Sequence, residues 1–97
     1  MINELLDAVR NYLDITYTDN AGDVKLTGII MRGQAYLNRI AGETLDYDIE
    51  GDARQLLFDY CRYVRSGALE DFAANFQSEL LALQNTYEVK RYGEAHE

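Results

Sequence analysis

Residues 24–42 read Val24-Lys25-Leu26-Thr27-Gly28-Ile29-Ile30-Met31-Arg32-Gly33-Gln34-Ala35-Tyr36-Leu37-Asn38-Arg39-Ile40-Ala41-Gly42, and this stretch decides the fold. Leu26, Ile29, Ile30, Gly33, Leu37 and Ile40 fall within about a hundred degrees of one another at helical spacing, the stripe of an amphipathic helix. Gly42 follows the last apolar position and suits the left-handed residue that ends a helix. The pattern predicts a helix that begins near Asp19 or Asn20 and ends near Ala41. Gly33 lies inside the stripe, where glycine costs roughly 1 kcal/mol relative to Ala. Close approach of another helix is the expected compensation. Gly28 is a second weak point, expected on the outer side.

The same periodicity recurs on both sides. A first helix is expected from about Asn3 to Leu13, with Asn3 as N-cap and Glu4 and Asp7 in the first turn. Its apolar face is Ile2, Leu5, Leu6, Val9, Tyr12 and Leu13. Asp14 to Asn20 favours turns. Residues Glu43 to Glu50 form a connection rich in carboxylates, and Leu45 and Ile49 are expected to tuck into the core. A third helix, about Glu50 to Arg65, has the stripe Ala53, Leu56, Leu57, Tyr60 and Val64. Ser66-Gly67 interrupts the pattern. A fourth helix, about Ala68 to Tyr87, has the stripe Leu69, Phe72, Ala73, Phe76, Leu80, Leu83 and Tyr87. The fold class expected is all-α: one small bundle of about four helices over residues 1–87. Residues 88–97 lack sustained periodicity and are expected to form a flexible C-terminal arm, short and extended or frayed.

Composition sets limits on function. Hydrophobic residues make up 47% of the 97 residues, too many for a disordered chain. No apolar run approaches the roughly 20 residues needed to cross a bilayer. Met1-Ile2-Asn3-Glu4 lacks the basic start of a signal peptide. Cys61 stands alone, so no disulfide framework exists and an intracellular setting is expected. Seventeen acidic residues against nine basic give a net charge of −8. Phosphate is repelled by such a chain at long range, which argues against ordinary duplex binding.

The residues offer little catalytic chemistry. Asp46, Asp48 and Glu50 alternate and Gly51 follows, like the start of a calcium loop. The twelfth position, which should be a bidentate Glu, is Leu57. The single histidine, His96, lies beside the C-terminus with no rigid setting, so neither a zinc site nor a nucleophile–histidine pair has a basis. No glycine-rich phosphate loop is present. The expectation is a protein that is not an enzyme and holds no metal or cofactor.

One cluster stands off the core stripes. Arg54, Phe58, Arg62 and Arg65 share a face of the third helix at spacings of four, four and three. Basic residues around an aromatic can grip an acidic surface of another copy, or stack on bases. Alternatively Phe58 packs under the first helix or a terminus and the arginines are solvated. Overall acidity places nucleic acid last. Leu81 on the fourth helix and Val24 and Met31 on the second also fall outside their stripes, which makes an assembly surface a reasonable suspicion.

The sequence resembles the phage head–tail connector (adaptor) family, in the version found in tailed phages and prophages of Gram-positive bacteria. The strings that carry the resemblance are Leu5-Leu6-Asp7-Ala8-Val9-Arg10-Asn11-Tyr12-Leu13-Asp14 followed by Thr18-Asp19, then Leu26-Thr27-Gly28-Ile29-Ile30, Arg32-Gly33-Gln34-Ala35-Tyr36-Leu37 and Ile40-Ala41-Gly42. Asp59-Tyr60-Cys61-Arg62-Tyr63-Val64-Arg65-Ser66, Ala68-Leu69-Glu70 and Asn75-Phe76-Gln77-Ser78-Glu79-Leu80 continue it. It is a match of helical pattern and short strings over nearly the whole chain, with no catalytic signature.

The resemblance implies a structural protein of the virion neck, present in the host cytoplasm during assembly. Such proteins form rings of about a dozen copies, whose neighbours meet through two different patches. The ring docks under the portal protein, receives a stopper or tail-completion protein, and surrounds a channel through which DNA only passes. No membrane and no cofactor is involved. Two patches are candidates for the subunit boundary: basic Arg54, Arg62 and Arg65 around Phe58, and acidic Glu43, Asp46, Asp48, Glu50 and Asp52. The arm, with Val89, Lys90, Arg91 and Tyr92, is a candidate for portal docking. The competing expectation is a small acidic helical module that mimics DNA and blocks a basic partner protein.

Overall fold

The computed structural model describes residues 2–16 and 19–95. Thr18 and His96 lie outside the described residues, as do the side chains of Ile2 and Asn3. Among the described residues all regular structure is helical: α1 Ile2–Tyr12, α2 Asn20–Ala41, α3 Asp52–Arg65, a 3₁₀ turn Leu69–Asp71, α4 Phe72–Asn75 and α5 Gln77–Ala95.

Local chemistry sets the ends of α2. The Asp19 carboxylate accepts from the Gly22 amide at 2.8 Å, satisfying one of the unpaired donors of the first turn. Gly42 adopts φ +79° and its N–H donates to the Asn38 carbonyl. Between these ends Leu26, Ile29, Ile30, Gly33, Leu37 and Ala41 are buried. Gly33 is where α3 comes closest. A Cβ there would lie 2.7 Å from Leu57 Cδ1 and 2.8 Å from Tyr60 Cδ1.

Around α2 the core gathers Leu5 and Val9 of α1, Leu56, Leu57, Tyr60 and Cys61 of α3, and Leu80 and Leu83 of α5. Arg10 fastens α1 to α2 through Asp23 at 2.8 Å while also meeting Asp7 at 2.6 Å. Burial pushes the Cys61 thiol up to about 12, so this cysteine is a packing residue with little thiolate at neutral pH. The radius of gyration is 14.5 Å and the extents are 50 × 28 × 18 Å. A compact chain of this length would have a radius near 12.5 Å. The difference reflects two long helices, α2 and α5, each with an outer face that nothing covers.

Three expectations require correction. The fourth helix is not continuous: a 3₁₀ turn and α4 precede α5, giving five α-helices instead of about four. The chain bends at Phe76, whose backbone leaves the helical region at φ −113°, ψ 23°. The bend lets Phe72 and Phe76 both rest edge-on against Tyr63, at 5.6 and 5.5 Å, while stacking on each other at 4.9 Å. Leu69 and Ala73 are exposed as a result. The second correction concerns the arm. Residues 88–95 continue α5, and Arg91 reaches the C-terminus of α2, where its Nη1 donates to the Ala41 carbonyl at 2.5 Å. A cation there satisfies an unpaired carbonyl and complements the helix dipole.

The third correction is in the α2–α3 connection. Leu45 is buried as expected, but Tyr47 is its buried companion and Ile49 is 62% exposed. Tyr47 packs inward because its hydroxyl finds Asn38 Oδ1 at 2.7 Å, the same oxygen that accepts the Leu45 amide at 3.0 Å. Burial holds the Tyr47 and Tyr60 phenols above the usual tyrosine range.

These raised values have a consequence for alkaline stability. Below the ordinary titration ranges of cysteine and tyrosine, folded and unfolded chains hold the same protons. Above about pH 9–10 the unfolded chain releases protons that Cys61, Tyr47 and Tyr60 retain, so stability falls as pH rises. Helicity followed by circular dichroism should decline between about pH 10 and 12. Tyr47→Phe should move that decline to higher pH while lowering stability at neutral pH by about 1 kcal/mol, for the lost hydrogen bond.

Candidate interaction surfaces

The cluster on α3 divides when it is placed in the fold. Phe58 is buried at 9% exposure. Tyr12 of α1 lies against it, ring centroids 5.2 Å apart, and the Arg54 guanidinium covers it at 4.9 Å. Phe58 therefore has little area to offer a partner: of the two expectations, packing under the first helix holds and exposure does not. Arg54 is likewise engaged within the chain, donating to the Tyr47 carbonyl at 2.9 Å and pairing with Glu50 at 3.4 Å. One member of the basic row is thus neutralised by one member of the acidic segment in the same molecule.

Arg62 stays half exposed and pairs with Asp59 at 3.2 Å. Asp59 is the one buried charged residue among the described residues. It also accepts from Tyr12 Oη at 2.8 Å and Gln55 Nε2 at 3.3 Å. The network ties α1 to α3 through contacts that no spacing along the chain signals. Arg65 is exposed beside Lys25, across a shallow groove between the start of α2 and the end of α3.

The acidic segment is a loop with bends at residues 47–51. Leu45 and Tyr47 point in; Asp46, Asp48 and Glu50 are exposed. Asp46 Oδ1 accepts the Asp48 amide at 3.0 Å. Asp52 opens α3, where a carboxylate suits the helix N-terminus. Glu43 stands apart from the others: it meets Lys90 at 3.5 Å and Arg91 at 4.0 Å. Of the four arm residues, Lys90 and Arg91 thus hold α5 to the end of α2. Val89 and Tyr92 are 71% and 68% exposed.

Two surfaces emerge that the cluster on α3 had obscured. The first is the outer face of α2. Val24 and Met31 are 67% and 59% exposed, and with Gly28 and Ala35 they make a line at spacings of four, three and four. Lys25, Arg32 and Arg39 run beside it at intervals of seven. All three are exposed, and none forms an ion pair among the described residues, whereas Arg10, Arg54, Arg62, Lys90 and Arg91 all do. Val24 and Met31 stand off the inner stripe in the sequence itself, and the fold adds the small residues and the cations that run beside them.

The second surface is a trough between α3 and α5. Leu56, Phe76 and Ala82 line one part of it and Ala53, Leu83 and Tyr87 the other, the two parts meeting at Asp52. Asp46, Glu50, Asp59 and Glu79 stand along its walls. No helix among the described residues is long and apolar enough to cross a membrane. Comparison with protein-family models, with curated proteins and with solved structures gives no match.

Proposed function

We propose that this chain is a structural assembly protein of the phage head–tail connector type, a neck component that forms a ring, docks on a portal protein and receives a stopper or tail-completion protein. The observation that carries the reading is the two-sided character of α2. One face builds the core, while the other is apolar, bordered by unpaired cations and uncovered in the monomer. A contiguous apolar line on a small domain is the usual mark of a protein-binding face. The family resemblance supplies the particular assembly. The reading assigns the chain no catalytic step and no cofactor, and DNA only traverses the ring. Carboxylates facing the channel would keep DNA from adhering, since each phosphate contact with a cation adds affinity.

Val89 and Tyr92, the two most exposed apolar side chains of this segment, are what this reading offers to the portal. The test is electron microscopy of the purified protein at high concentration, with and without portal particles, scored for annular particles. Rings, or decoration of the portal vertex, are the expected result. A chain that remains monomeric and leaves the portal bare overturns the reading. Tight one-to-one capture of a basic protein by such a monomer would favour the DNA-mimic alternative, for which the acidic trough between α3 and α5 is the relevant surface.

A further inference from the structure

The two surfaces described above complement each other, and their pairing rests on the assembly reading just given. On α2 the line through Val24, Gly28, Met31 and Ala35 lies roughly 180° from the buried stripe, at 100° per residue. Its spacing is that of a seam along which one helix packs on others. Arg32 folds its guanidinium toward Gly28 and so stays on this face. On α3, Asp52, Gln55 and Asp59 lie roughly 140° round from Leu57 and Tyr60, the residues that meet α2. The trough therefore opens away from α2, and ridge and trough occupy opposite sides of the molecule.

We propose that the α2 ridge of one copy seats in the α3–α5 trough of the next. The lengths are similar: Val24 to Ala35 spans about 17 Å of helix and Gln77 to Tyr87 about 15 Å. The charges are complementary. Copies with a net charge of −8 repel at long range. A row of Lys25, Arg32 and Arg39 entering a trough walled by the exposed Asp52 and Glu79 reverses that repulsion locally and fixes register. Two unlike surfaces on opposite sides give a head-to-tail contact, which closes into a ring or runs on as a filament. A strip one helix wide is smaller than a standard interface of roughly 800 Å² per partner. Each contact is therefore weak, and the assembly gains its strength by closing.

The experiment is sedimentation velocity at low salt and up to ~1 mM protein, on the wild type and two charge-reversed variants, Arg32→Glu/Arg39→Glu and Asp52→Lys/Glu79→Lys. The wild type is expected to self-associate. Each variant alone should lose association about tenfold or more, and an equimolar mixture should recover it, because each reversed surface then meets its complement. Helix content is checked for both. The α2 variant alters side chains without ion pairs in the chain, so it carries the test should the trough variant lose helicity. Association that ignores the reversals, a mixture that fails to recover, or a wild type that stays monomeric overturns the pairing. Annular particles that form from either variant alone sink this pairing and leave the connector reading standing. Charge-dependent chains that never close and never decorate a portal do the reverse.

Discussion

Replacing Phe72 by Ala is expected to destabilise the protein by about 3–5 kcal/mol, the range for removing a buried aromatic ring. Phe72 is 1% exposed and ranks among the largest fully buried side chains. Its ring meets Tyr36 at 6.1 Å, Tyr60 at 5.6 Å, Tyr63 at 5.6 Å and Phe76 at 4.9 Å. Three of these contacts are edge-to-face, a geometry that contributes beyond the area buried. The neighbours sit on α2, α3 and the bend before α5, so no single side chain can move into the space. A domain of this size has a total stability of roughly 5–15 kcal/mol, and the loss takes a large part of it. Urea unfolding should show a much lower midpoint with an unchanged slope. Phe72→Leu, which refills much of the volume, should fall between the two. A loss below about 1 kcal/mol for the alanine variant would mean that the aromatic cluster is not the joint between the helices.

That joint shows which parts of the fold were legible in the chain and which were not. The long stripe on α2 could be read because burial there follows the helical period over about four turns, whereas on α3 every residue from 56 to 61 is buried. Gly33 and Gly42 were legible for a related reason: each is needed where a Cβ cannot go or a helix must end. The connection at residues 43–51 was not. It is a loop that bends at residues 47–51, where no helical period marks which side chains enter the core, and the Asn38 side chain in the last turn of α2 holds Leu45 and Tyr47 inward. The burial of Phe58 depends on Tyr12, 46 positions earlier in the chain, a non-local contact that no spacing reports. The helical state of residues 88–95 depends in part on the α2 carbonyl that Arg91 reaches. Surface chemistry failed for a different reason. Arg54 looked like part of an exposed basic row until its partners Tyr47 and Glu50 were in place. Arg65 on α3 and Lys25, Arg32 and Arg39 on α2 form no ion pair among the described residues, and no spacing in the chain sets them apart from the cations that do.

Gly33→Val is expected to destabilise by about 3 kcal/mol, lowering the melting temperature by on the order of 15 °C. The cause is the closeness of α2 to α3. Non-bonded carbons rest at about 3.5–4.0 Å, and a Cβ on Gly33 would stand 2.7 Å from Leu57 Cδ1 and 2.8 Å from Tyr60 Cδ1. Leu57 and Tyr60 are both buried and packed on other core residues, so they cannot swing into solvent to make room. Two opposing effects meet in Gly33→Ala: a helix-propensity gain of roughly 1 kcal/mol and an overpacking cost of about 1–3 kcal/mol. The alanine variant should therefore be modestly destabilised. Valine keeps the overlap, adds two methyl groups and returns much of the propensity gain through its branched Cβ. Gly28→Ala supplies the contrast. Its Cβ would meet only the Arg32 Nη1 at 3.3 Å, the end of an exposed side chain that can shift. With no buried neighbour to displace, the propensity gain should dominate and stabilise the isolated chain by about 0.5–1 kcal/mol. Thermal unfolding of the three variants should thus rank Gly28→Ala above wild type and wild type above Gly33→Ala, with Gly33→Val lowest. Gly33→Ala melting above wild type would show that the α2–α3 spacing relaxes freely, and that this glycine is not what sets how closely the two helices pack.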